Sequence, residues 1–149
     1  MSKFDSIRPY YDAEINGALK ATVDHPMMKA LMEFTFPGVD EEVWKTQLKK
    51  TYSTRDFQSN FIYHSIQKVI ELTSEGVTTS GFETLEQNTS YLFISNHRDI
   101  ILDTSILNGC LFDHGLLMTA SAIGDNLVKK SFMNILAKIN RNFLVLRGL

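Results

Sequence analysis

Within ten residues this chain places a histidine and two carboxylates: His97, Asp99 and Asp103, directly after the apolar run Tyr91-Leu92-Phe93-Ile94. Imidazole is the side chain whose ordinary pKa suits proton transfer near neutrality. A carboxylate within reach can fix its tautomer and stabilise the imidazolium that forms. The pattern points to a general base at the end of a strand, where open α/β sheets present their ligands. Asp99 and Asp103 are spaced to lie about 40° apart on one helical face. If a helix starts near Arg98, both sit in its first turns, where its positive end favours anions.

The surrounding pattern predicts the elements that position these groups. Up to about residue 75 the chain reads as helical. Pro9 and Pro26 suit first turns, with Ser6 and Asp24 as nearby caps, and Asp40 can cap a short helix carrying Val43, Trp44 and Leu48. Thr54 can cap a longer helix, in which Ile62, Ile66, Val69 and Ile70 form one apolar stripe ending near Gly76. After Gly76 the pattern changes. Val77-Thr78-Thr79, Tyr91–Ile94, Leu116-Leu117-Met118-Thr119 and Phe143-Leu144-Val145-Leu146 read as strands, the last three separated by helical patterns over 102–113 and 125–139. Strands alternating with helices imply βαβ units and a mainly parallel sheet. The expected fold class is α/β: a helical subdomain over 1–75, then the first part of a parallel sheet over 76–149. An apolar last strand wants cover on both faces, so the chain is expected to be the N-terminal part of a longer protein.

Composition narrows the function classes. With 149 residues, 44% apolar and 21% charged, one soluble globular domain is the default. Net charge is −2 and no dense Lys/Arg cluster occurs, which excludes a nucleic-acid footprint. A single cysteine, Cys110, excludes an intrachain disulfide and a multi-cysteine zinc site. Neither a signal-peptide core nor an apolar run of about 18 residues is present, so a soluble or peripheral protein is expected. Cys110, His25, His64 and His114 read as structural. Met27, Met28, Leu31 and Met32 read as packing. Lys129, Lys130 and Lys138 read as the solvated side of a sheet-covering helix. His97-Arg98-Asp99 also opens a kinase catalytic loop, but Thr104 stands where its asparagine belongs and no Asp-Phe-Gly follows. No G-x-S-x-G occurs, which removes a serine hydrolase.

Ser95-Asn96-His97 and the downstream strand Asn142-Phe143-Leu144-Val145-Leu146-Arg147-Gly148 resemble the first two signature blocks of the glycerolipid acyltransferases. Residues 77–85, Val77 to Leu85, resemble the short strand and Gly-containing turn that precede the first block. The resemblance covers about residues 77–149. It departs in two respects: five residues rather than four separate His97 from Asp103, and the family's later Pro-Glu-Gly-like block does not occur. The favoured partner of His97 is Asp103, with Asp99 as the alternative.

The resemblance implies transfer of a fatty acyl group from acyl-coenzyme A or acyl-carrier protein to a hydroxyl of a glycerol phosphate or lysophospholipid. His97 would be the general base, Asn96, Arg98 and Arg147 would contact substrate, and Arg147 would take the acceptor's phosphate. No cofactor or metal is called for, and the expected location is the cytoplasm or the cytoplasmic face of the membrane. The competing reading is a module on the same scaffold that binds acyl thioester or lipid without turnover.

Overall fold

The computed structural model describes residues 2–148. Five helical segments open the chain: α1 (Asp12–Thr22), α2 (Pro26–Thr35), α3 (Glu41–Lys49), α4 (Thr54–Phe57) and α5 (Tyr63–Thr73). The last two form one continuous rod, joined through a wider π turn over Gln58–Ile62. Their ends follow cap chemistry. Asp40 accepts from the Glu42 amide at 2.9 Å, and Ser53, one residue before Thr54, accepts from the Asp56 amide at 3.0 Å. At α2 the cap is His25 rather than Asp24: its Nδ1 accepts from the Met27 amide at 3.1 Å, with Pro26 at the first helical position. Pro9 lies outside any helix, because α1 begins three residues later, where Glu14 reaches back to the Tyr11 amide at 2.7 Å.

Apolar residues at helical spacing on these segments make the main core. Ile15, Leu19, Met28, Met32, Trp44, Leu48, Phe57 and Phe61 are all buried, and the same core takes Phe132 and Ile139 from α7 (Ser131–Ile139). The stripe on α5 is only partly sealed, with Ile66 buried and Ile62, Val69 and Ile70 half-buried. Cys110 is buried, as are Met28 and Met32, while Met27 is exposed.

The second half contains α6 (Leu102–Asp113), β1 (Ala122–Gly124), α7 and β2 (Phe143–Val145). β1 and β2 pair in parallel, with Ala122 opposite Phe143 and Gly124 opposite Val145, and α7 lies in the crossover between them. Several expectations fail here. Val77–Thr79 and Tyr91–Ile94 form no strand, and Leu92 and Ile94 are 86% and 88% exposed. An apolar run becomes a strand only when a neighbour supplies its ladder, and among the described residues Tyr91–Ile94 makes no backbone hydrogen bond to another segment.

Leu116–Thr119 also stays outside the ladder, for a different reason. The buried carboxamide of Asn108 accepts from the Thr119 amide at 2.7 Å and from its hydroxyl at 2.9 Å, and Arg141 donates to the Met118 carbonyl at 3.1 Å. Side chains thus take groups that a ladder would use. Asn108→Ala leaves this amide without its acceptor and is expected to destabilise the fold by about 1–3 kcal/mol, read from urea unfolding.

The helix expected over 125–139 begins only at Ser131, after a tight turn over Asp125–Leu127. Lys138, expected on its solvated face, is buried. Its ammonium donates to the carbonyls of Asp5 and Ser6 and lies 5.1 Å from the Tyr10 ring, while burial pushes its pKa down. The reason is the amino-terminal segment, which lies against α7 and β2: Tyr10 donates to the Lys138 carbonyl, and Leu144 to that of Ile7. Among the described residues no helix is long and apolar enough to cross a membrane.

Candidate active site

The start of α6 builds the site. One carboxylate oxygen of Asp99 accepts from the amides of Ile101 and Leu102 at 2.9 and 2.8 Å, which satisfies donors that the helix cannot. Asp103, one turn later, folds back over the same turn. Its Oδ2 accepts from the amides of Arg98 and Asp99 at 2.6 and 2.9 Å and lies 3.1 Å from His97 Nδ1. The two aspartates therefore do different work: Asp99 caps the helix, and Asp103 holds the loop and meets the imidazole.

The extra residue between His97 and Asp103 is accommodated in that turn. Helical geometry starts only at Leu102, so Arg98 to Ile101 form the bend that returns Asp103 to the ring.

Electrostatics follow the hydrogen bonds. The amides of Asp99 and Arg98 hold the Asp103 carboxyl below the usual carboxylate range, with a smaller contribution from His97. The amides of Leu102 and Ile101 do the same for Asp99. An ionised carboxylate only accepts hydrogen bonds, so where neutral His97 meets Asp103 the proton belongs on Nδ1. Nε2 then carries the lone pair. The His97 side chain is 64% exposed and that of Asp103 23%, so the pair presents an accessible basic nitrogen held from behind.

Ser95 and Thr104, chain neighbours of this pair, line an open cleft of about 510 Å³. Its walls mix apolar side chains (Tyr91, Leu92 and Phe93 from the irregular segment, Leu107 and Leu111 from α6, and Leu116 to Met118) with polar ones that include Glu86, Gln87, Thr119 and Arg141. His97 and Asp103 are not themselves among its lining residues. Phe143 and Ala122 close the cleft on the side of the sheet.

Arg147 lies two residues beyond β2. Its amide donates to Asp125 Oδ1 at 3.2 Å, and its Nε packs against Gly124, the last residue of β1, where an added Cβ would approach to 2.9 Å. The guanidinium thus sits at the carboxyl ends of both strands. Among the described residues no hydrogen bond or ion pair links it to His97 or Asp103, and the side chains of Asn96 and Arg98 form no hydrogen bond.

The remaining histidines serve packing or caps. His25 stacks on Phe132 at 4.2 Å, and His114 pairs with the Cys110 carbonyl and stacks on Phe82. Among the described residues, no three His, Cys, Asp or Glu side chains gather as a metal site would require. Sequence reasoning missed the cleft walls, because an irregular segment carries no periodicity to mark which side chains face inward. It also missed Arg141, whose signal was a helix ending in Asn140-Arg141-Asn142 without a glycine. No family model, curated protein or solved structure was found to match this chain.

Proposed function

We propose that this chain carries the proton-transfer site of an acyltransferase, which moves a fatty acyl group from an acyl thioester to a hydroxyl of a glycerol phosphate or lysophospholipid. The observation that carries the reading is the His97–Asp103 pair, with Nδ1 bonded to an anionic carboxylate and Nε2 left open. In the proposed reaction Nε2 takes the proton from the acceptor hydroxyl as its oxygen attacks the thioester carbonyl. The tetrahedral intermediate then expels the thiolate, which receives that proton from the imidazolium. No acyl-enzyme forms, because the acceptor alcohol is the nucleophile. General-base assistance of this kind contributes about 10²–10⁴-fold.

The apolar side chains in the adjoining cleft, Leu107, Leu111 and Leu116 to Met118 among them, suit a hydrocarbon chain. Arg147, at the sheet's carboxyl edge, is assigned the acceptor's phosphate, a group that guanidinium geometry matches. Asn96 and Arg98 are assigned substrate contacts on the same turn. The donor is coenzyme A or acyl-carrier protein, and the setting is the cytoplasm or the cytoplasmic face of a membrane.

A second reading is favoured by the exposure of His97 together with the apolar side chains of the cleft: binding of acyl thioester or lipid without turnover. Incubation with acyl-coenzyme A and glycerol 3-phosphate or lysophosphatidic acid, with mass-spectrometric detection of the new ester, separates the two. Ester formation supports acyl transfer. Saturable thioester binding with the thioester intact supports the binding module and overturns the enzyme.

A further inference from the structure

A second cavity, of about 230 Å³, adjoins the first through Leu116, Leu117, Met118 and Arg141 and lies between the α4–α5 rod and the turns that end α6 and α7. Two arginines from distant parts of the sequence line it, Arg55 and Arg141, and among the described residues no carboxylate does. That is notable in a chain of net charge −2. Among the described residues Arg55 forms no side-chain hydrogen bond or ion pair, and Arg141 forms one hydrogen bond, to the Met118 carbonyl. Of the other arginines, Arg8 meets both Asp5 and Glu14, whereas Arg98 and Arg147 form no side-chain hydrogen bond or ion pair among the described residues.

The backbone adds a second observation. Leu117 and Met118 also line this cavity, and among the described residues their amides donate to no protein acceptor. Met118 is 5% exposed, so burial bears on its amide, whereas Leu117 is 59% exposed. A buried N–H without an acceptor is rare, because leaving it unmade costs about as much as a lost hydrogen bond.

The turn that carries Arg141 is a third. α6 and α7 end in the same motif, in which the amide three residues past the helix returns to a carbonyl five positions back: Leu116 to Leu111, and Asn142 to Ala137. The residue before that amide takes left-handed backbone. After α6 it is Gly115 at φ +70°, but after α7 it is Arg141 at φ +60°. Glycine adopts this conformation freely, whereas a side chain there costs roughly 1–2 kcal/mol. The sequence thus accepts strain to put a guanidinium at this spot, and observed strain of this kind clusters at ligand sites.

We propose that this cavity is an anion site for the phosphoryl group of a small molecule, held by Arg55, Arg141 and the amides of Leu117 and Met118. Four donor groups from three chain segments exceed what one planar carboxylate uses, and guanidinium forks match phosphate oxygens. The inference does not rest on acyl transfer, since it uses none of His97, Asp103, Asn96, Arg98 and Arg147, although Leu117, Met118 and Arg141 line the cleft beside that site as well.

The test is titration of the 149-residue chain with inorganic phosphate, glycerol 3-phosphate and coenzyme A, followed by amide shifts in ¹⁵N spectra and by calorimetry, with acetate as the carboxylate control. Inorganic phosphate should bind saturably and move the Leu117 and Met118 signals. Arg55→Gln and Arg141→Asn should each weaken binding about tenfold or more, as expected for loss of a charge-assisted hydrogen bond. Asn tolerates the left-handed backbone, and exposed Arg55 carries the test alone if the Arg141 variant fails to fold.

An ester that binds more tightly than inorganic phosphate, with the same arginine dependence, identifies the source as that ester. Equal affinities identify free phosphate. Absence of saturable shifts, shifts equally large with acetate, or binding undiminished in Arg55→Gln overturns the site.

Discussion

His97→Ala is expected to lower acyl transfer to a glycerol phosphate or lysophospholipid acceptor by about 10²–10⁴-fold, the usual contribution of a positioned general base. Thioester binding and thermal stability should change little. The ring is 64% exposed, and its hydrogen bond to Asp103 is supplementary to the two amide bonds that hold that carboxylate in place. The loss should therefore fall on turnover. Initial rates of thiol release with acceptor present, beside a melting curve for each protein, check this. A variant that retains activity within a few-fold of the parent removes the assignment of His97 as base.

Asp103→Asn is expected to be nearly as damaging as loss of the histidine. An asparagine can offer its NH₂ group to His97 Nδ1, which would place the ring proton on Nε2, the atom that has to accept one. In a serine-protease triad the same exchange of the orienting carboxylate costs about 10⁴ in rate. Asp103→Asn should thus lose about 10²-fold or more, and some stability besides, because the amides of Arg98 and Asp99 lose a charged acceptor. Asp99→Asn is the internal control. Asparagine caps a helix about as well as aspartate, and among the described residues the Asp99 side chain hydrogen-bonds only the amides of Ile101 and Leu102. Activity should stay within a few-fold. Equal damage from both substitutions would contradict the division of roles between the two acids.

What the sequence reveals depends on whether the deciding partner lies nearby. α6 spans Leu102–Asp113 and β2 spans Phe143–Val145, close to the segments that periodicity indicates, since caps, helix stops and β-branched runs are local signals. The meeting of His97 with Asp103 was open to reading for the same reason: the partners are six positions apart, and one turn of backbone decides which acid arrives. Tyr91–Ile94 has the composition of a buried strand, yet whether it forms one depends on a neighbour that its own residues do not specify.

Lys138 shows the same limit on a helix. Its place on the polar face of α7 suggests solvent, but carbonyls more than 130 positions earlier, at Asp5 and Ser6, meet it there. Arg55 and Arg141 are 86 positions apart and share a cavity only because α6 and α7 end side by side against the α4–α5 rod. Two-body arrangements of this kind are tertiary facts, invisible to any window of the chain.

The protonation state of His97 is the most direct probe of how the site works. Long-range ¹H–¹⁵N correlation spectra of the imidazole, taken where the ring is neutral, report which nitrogen bears hydrogen. A ring bound to Asp103 carries its hydrogen on Nδ1 and leaves Nε2 bare, and Asp103→Asn should shift that balance. A wild-type ring protonated mainly on Nε2 would have no lone pair where the acceptor hydroxyl must deliver its proton, and His97 could not be the base.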